Sequence, residues 1–175
     1  MTPINRRETL KKLAAATGAM IALPAWAKEW EPGALAGDYF LPDDQQAILA
    51  SVADTIIPRG DAVGALSVGV DKFLVKLLDK CYEKEVQENV SSRLMALEVA
   101  AKHEHARSFA ECSQPERETL LLRLAYSPEK NDQEFFKLIK SETIRGFSTS
   151  REVMLSYHHY QIVPGHYHGC VDVKP

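Results

Sequence analysis

The sequence predicts an all-α fold: an irregular orthogonal bundle of about six short helices that follows a cleaved N-terminal signal. Three observations support this class. Apolar residues recur at three- and four-residue steps, capping patterns and prolines separate these runs, and no segment shows the alternating apolar pattern of a strand. Residues 42–175 are therefore predicted to form a single helical domain that ends in a loop or tail.

Residues 1–27 have the features of a targeting segment. Arg6 and Arg7 precede an apolar run, Leu13–Leu23, which is too short to span a bilayer as a helix. Ala25-Trp26-Ala27 has the small-x-small pattern of a cleavage site. The arginine pair resembles the motif that the twin-arginine translocase reads on folded cargo. We therefore expect a periplasmic protein; an ordinary amphipathic N-terminal helix is the alternative.

An N-terminal arm, residues 28–41, is predicted next, because this stretch contains aromatic residues, proline and glycine without a helical period. The first helix is predicted to begin at Pro42, since proline suits a first helical turn, and to end at Pro58. The second is predicted to begin at Ser67 and to run to about Asn89.

The third helix is predicted to begin at Ser91 or Ser92. The fourth has the clearest start, because Ser113 and Glu116 have the spacing of a capping box with proline in the first turn. A break at Ser127-Pro128 separates it from the fifth helix.

The fifth helix is predicted from the buried stripe that includes Phe135 and Ile139. A capping box of Asn131 with Glu134 is expected at its start, and Gly146 is expected to end it in a left-handed conformation. Thr149 with Glu152 then predicts a second capping box. That box would begin a short sixth helix that extends to about Tyr157.

Two blocks of sequence resemble the gluconate 2-dehydrogenase subunit 3 family. One has the pattern Phe-Phe-x-x-Ile-Lys-x-x-Thr-x-x-Gly-Phe-x-Thr-Ser and spans Phe135–Ser150. The other spans Ala53–Pro58 and is followed by Gly64-Ala65 and Val70. Both occur in the family's order. The resemblance implies a small secreted subunit of a membrane-associated, FAD-dependent dehydrogenase complex that oxidises gluconate or a related polyol or sugar acid.

The resemblance also implies which partners and cofactors to expect. FAD would be bound by the large dehydrogenase subunit and not by this chain, and a cytochrome c subunit often accepts the electrons. The small subunit would serve the export, folding and stability of the flavoprotein. A nucleic-acid partner is not expected, because the formal net charge is −3 and the basic residues form no stripe.

The C-terminal segment contains the residues that the sequence suggests for binding. We expect a partner interface that includes Tyr157, Tyr160, Tyr167 and Cys170, because this aromatic segment lacks a helical period.

Four clustered histidines favour an alternative function, a stand-alone periplasmic metal-binding protein. They are His158, His159, His166 and His168, with Cys170 as a further candidate ligand. Adjacent histidines point in different directions, however, and the spacing matches no closed structural zinc site. No metal ligand is therefore assigned, and the stretch is predicted to be a solvated or interface loop.

The chain has an odd number of cysteines, three, which in an oxidising compartment suggests that one bonds to another chain. Cys81 is predicted to be a buried thiol on the second helix, and Cys170 is the preferred candidate for an intermolecular bond. A bridge between Cys112 and Cys170 is the alternative.

No catalytic residue and no cofactor-binding residue is predicted. Four helical carboxylates are predicted to lie on solvated faces, because none has a partner carboxylate at a spacing typical of acid–base catalysis: Asp54, Glu98, Glu104 and Glu142. Nucleophile elbows, P-loops and dinucleotide-binding glycine patterns are absent from the sequence. A small enzyme in its own right is the third function considered.

Overall fold

The structure, a computed structural model, describes residues 39–161 and residue 165. Within these residues the fold consists of α-helices and two short 3-10 helices without strands, which confirms the predicted all-α class. The six α-helices are α1 (Asp43–Ile56), α2 (Val70–Cys81), α3 (Lys84–His105), α4 (Gln114–Ala125), α5 (Lys130–Ser148) and α6 (Arg151–Ser156). In the described part of the chain, none of them has the length and apolar composition that a bilayer crossing needs.

A compact loop connects α1 to α2. The Ala65 amide donates a hydrogen bond to the Ile57 carbonyl at 2.9 Å and closes the loop. At Gly64 the chain passes so close to itself that a Cβ atom would lie 2.6 Å from the Arg59 amide nitrogen. Only glycine fits there without moving the backbone. Gly69, in the left-handed region at φ 75°, precedes α2 in place of the predicted Ser67 cap.

The boundary between α2 and α3 differs from the prediction, since α2 ends at Cys81 rather than near Asn89. Tyr82 and Glu83 are extended, although neither is a helix-breaking residue. The Gln87 side-chain amide stabilises this corner, because it donates to the last carbonyls of α2, including that of Leu78 at 2.9 Å. These bonds satisfy acceptors that a helix end leaves free.

The start of α4 was predicted correctly. The Ser113 amide donates to Glu116 Oε2 at 2.7 Å, and the capping box is complete. Upstream of α4, the residue that follows α3 is Ala106, which lies in the left-handed region at φ 53°. Glycine is usual at such a position, because a Cβ atom is strained there.

The corner predicted at Gly146 is absent, because α5 continues through this residue to Ser148. The predicted caps are also shifted: α5 follows Glu129 rather than Asn131, and α6 follows Ser150 rather than Thr149. Ser150 Oγ accepts a hydrogen bond from the Val153 amide at 3.4 Å, which caps α6.

The fifth helix, α5, lies at the centre of the bundle. This helix contacts each of the other five. Phe135 and Ile139 are fully buried, as predicted, and Thr143, one turn further along α5, is buried with them. The core around α5 also includes aliphatic side chains of α1, α2, α3 and α4, together with Phe109. Among the aliphatic residues are Leu49, Leu74, Leu94 and Leu120.

Candidate partner-binding surface

Both sequence blocks that carry the family resemblance contribute residues to the packed interior. From the first block, Ala53 and Ala65 are fully buried. From the second, Phe135, Ile139 and Gly146 are buried in α5. These residues therefore determine how the helices pack.

Gly146 is the contact point between α5 and α2. A Cβ atom at this position would lie 2.6 Å from Cδ1 of Phe73. The guanidinium of Arg145 lies over the same ring, 5.8 Å from its centroid, at a distance that suits a cation–π interaction. The aromatic ring therefore packs against a glycine and a cation of the same helix.

A polar cluster continues from this contact. Arg145 pairs with Glu142 Oε2 at 2.7 Å, and the Tyr82 hydroxyl donates to Glu142 Oε1 at 3.1 Å. Burial raises the pKa of Tyr82, and its hydrogen bond to the carboxylate adds to this effect. The assignment of Glu142 to a solvated face was wrong, because the residue is buried and joins the α2–α3 corner to α5.

The other three carboxylates considered as catalytic candidates also have ion-pair partners: Asp54 with Arg117 at 2.9 Å, Glu98 with Lys102 at 3.0 Å, and Glu104 with Arg123. The Arg123 guanidinium beside Glu104 holds the pKa of that carboxyl below its usual range. Their contacts are those of structural residues that connect neighbouring helices or turns.

The segment after α6 presents its side chains to solvent. Tyr157 is 55% exposed and Tyr160 is 49% exposed, and Leu155 in α6 is also about half exposed. The Tyr160 amide donates to the Met154 carbonyl at 2.9 Å, and His159 reverses the chain at φ 49°. This turn places apolar side chains on the surface, which is typical of a binding surface. Tyr167 and Cys170 lie outside the described residues.

The histidine cluster falls partly outside the described residues. His158 and His159 are exposed, whereas His166 and His168 belong to the part that the structure does not describe. Among the described residues, no group of three or more His, Cys, Asp or Glu side chains could hold a metal ion. A metal site that includes the C-terminal histidines stays a prediction.

The two described cysteines are free thiols. Cys81 is exposed, contrary to the prediction, because α2 ends there and buries Leu78 in its place. Cys112 is buried, and burial raises the pKa of its thiol. Cys170 and the export signal with Arg6 and Arg7 lie outside the described residues, so their roles stay predictions.

Comparison with known proteins adds a finding about the family. A family model described as Gluconate 2-dehydrogenase subunit 3 matches residues 43–165, a range that begins with α1 and extends beyond α6. Searches of curated proteins and of solved structures gave no match.

Proposed function

Since the chain belongs to the gluconate 2-dehydrogenase subunit 3 family, we propose that it is the small, non-catalytic subunit of a periplasmic oxidoreductase complex. Its partner is a large subunit that binds FAD and oxidises gluconate or a related polyol or sugar acid. A cytochrome c subunit accepts the electrons in the same complex. The small subunit serves the export, folding and stability of the flavoprotein.

The family match carries this proposal, and the burial pattern supports it. The two sequence blocks pack helices against each other, and the four candidate carboxylates are engaged in ion pairs. When the residues that carry the family resemblance serve helix packing, the chain fits an accessory subunit better than an enzyme. The reacting groups are then those of the partner.

The N-terminal segment supports the export part of the proposal. Twin-arginine signals are addresses for proteins that cross the membrane already folded. Folded export suits a protein whose cofactor is inserted in the cytoplasm, and the proposed cofactor is the FAD of the large subunit. Arg6 and Arg7 thus address both proteins, which cross the membrane as one complex.

The surface after α6 is the proposed contact with the flavoprotein. Its exposed side chains include Leu155, Tyr157 and Tyr160. Tyrosine supplies a large contact area at a low entropic cost, and it is enriched at the centres of protein interfaces. Tyr167 and Cys170 extend this interface along the tail.

Replacement of Arg6 and Arg7 by lysine tests the proposal. We expect both this chain and a flavoprotein without its own signal to stay in the cytoplasm, because the address is lost for the whole complex. Immunoblots of periplasmic fractions show whether each protein is exported. Flavin absorbance of the purified chain shows whether the flavoprotein is bound to it. Lys11→Arg with Lys12→Arg is the matched control, since it changes side-chain type outside the arginine pair. Periplasmic flavoprotein in cells with the Arg6→Lys, Arg7→Lys variant would contradict the escort role.

A further inference from the structure

An open groove of about 620 Å³ lies between α3 and α5, and no described residue of α6 or of the segment after it lines the groove. Half-buried Tyr82, Val86 and Leu138 form its inner wall. Glu85 and Glu88, by contrast, are exposed at its rim. A groove with an apolar wall and an exposed polar rim suits a segment of polypeptide better than an enclosed small molecule.

Hydrogen bonds to α5 from α3 and from the corner before it hold the groove in shape. At one end the Asn89 side-chain amide donates to the Asn131 carbonyl at 3.2 Å. At the other end the Tyr82 hydroxyl reaches Glu142 at 3.1 Å. The groove is therefore built before any partner arrives, and binding does not bear the entropic cost of ordering its walls.

The uncompensated charge in the groove is negative. Glu85 and Glu88 have no ion-pair partner among the described residues. Arg93, the groove's cation, is neutralised by Asp132 at 2.5 Å. Basic side chains are the complement of this surface. A second copy of the chain is a poor occupant, because its own formal net charge is −3.

An apolar surface continues along the same face of α3. Glu85, Glu88, Ser92, Met95 and Val99 follow one another at alternating three- and four-residue steps, so they lie on one side of the helix. All five are exposed, Val99 by 63%. The surface thus begins with carboxylates and ends with apolar side chains.

We propose that this groove and the adjoining α3 face are a second docking surface for the flavoprotein subunit. The segment that binds there carries at least two lysine or arginine side chains for Glu85 and Glu88, together with apolar residues for Met95 and Val99. This inference rests on the proposed function, because it assigns the groove to the same partner. It adds a contact that is separate from the tyrosines after α6.

Charge reversal at the rim tests the proposal. The Glu85→Lys, Glu88→Lys variant should bind the purified flavoprotein subunit about tenfold more weakly at low salt, because two attractive contacts become repulsive. At about 1 M salt the difference should largely disappear, since exposed charges are screened. Biolayer interferometry measures the dissociation constant at both salt concentrations. Thermal melts followed by circular dichroism establish that each variant is folded.

The matched control is Asp44→Lys with Glu118→Lys. Asp44 occupies the first turn of α1 as Glu85 occupies that of α3, and Glu118 is an exposed mid-helix acid. This control should bind like the wild-type chain. If the rim variant misfolds, Glu85→Gln with Glu88→Gln replaces it, with an expected weakening of about threefold.

The outcomes separate the two proposals. Equal binding by the wild-type chain and the rim variant would overturn the groove assignment and leave the accessory role intact. Equal weakening by the rim and control variants would also overturn it, because the effect would then be one of net charge. A flavoprotein that does not bind the wild-type chain would overturn both proposals.

Discussion

A Cβ atom at position 146 would lie 2.6 Å from Cδ1 and 2.9 Å from Cε1 of Phe73. Carbon atoms do not approach this closely without displacement, so the crossing of α5 over α2 depends on the missing side chain. Glycine costs helical stability in the middle of a helix. At this position the closer packing of the aromatic ring compensates for that cost.

Gly146→Ala should destabilise the protein by about 1–3 kcal/mol, because overpacking at Phe73 outweighs the gain in helix propensity. Chemical denaturation followed by circular dichroism measures the change in the free energy of unfolding. Phe73→Leu introduced with Gly146→Ala should recover part of the loss, since it removes the clashing atoms. A Gly146→Ala variant as stable as the wild-type chain would show that the ring moves aside freely.

The sequence indicated that Gly146 is special but not why. A glycine that ends a helix and a glycine that admits a neighbouring ring look alike in one sequence, because both follow an apolar stripe. The difference depends on Phe73, which is distant in sequence. Cys81 was misassigned for a related reason: its burial depends on where α2 ends, and no proline or glycine marks that end.

Helix boundaries were predictable where the determining contacts are local. The box of Ser113 and Glu116 joins residues three positions apart, so its pattern is visible in the sequence. The end of α2 depends instead on Gln87, which folds back from α3 to the carbonyls of Leu78 and its neighbours. Contacts that cross between elements leave no such local pattern.

The start of α5 is tied to α3 by a buried carboxylate. Asp132 Oδ1 accepts from Arg93 at 2.5 Å, and Asp132 Oδ2 accepts from the Ser127 hydroxyl at 2.6 Å. Burial alone would raise the pKa of Asp132, but these two hydrogen bonds outweigh it and lower the pKa below its ordinary value of 3.8. The ionised carboxylate therefore stabilises the folded state.

Asp132→Asn should lower the free energy of unfolding by about 2 kcal/mol at neutral pH, because a charge-assisted hydrogen bond is lost. A lowered folded-state pKa gives stability that is present above the ordinary Asp pKa and is lost as the pH falls through the folded value. The difference in the free energy of unfolding between the wild-type chain and the variant should therefore become smaller below about pH 4. Urea denaturation between neutral and acidic pH measures it, with loop residue Asp61→Asn as the neutral control. A gap that does not change with pH would contradict this account.

For the whole molecule, the all-α class and the family were predictable because both rest on periodicity and on two ordered sequence blocks. The ion pairs were not, since Asp54 and Arg117 are 63 positions apart in sequence. The groove between α3 and α5 also escaped sequence reasoning. Its walls come from helices that are joined only after folding, and its exposed glutamates look like any solvated helix face.

The exposed tyrosines after α6 should matter for the assembly and not for the isolated fold. Tyr157→Ala with Tyr160→Ala should leave the melting temperature of the chain nearly unchanged, because both rings are about half in solvent. The same change should weaken flavoprotein binding about tenfold or more, as expected for interface tyrosines. Titration calorimetry measures the affinity. Tyr126→Ala, which removes a ring that is 84% exposed on another surface, is the control and should bind normally.

The anchoring of α6 has a consequence for its stability. Among its six residues only Val153 is buried, and a helix of this length has little stability of its own in water. Its amide protons should therefore exchange with solvent through subglobal opening, well before those of α5. We therefore expect α6 to open locally while the other five helices stay folded.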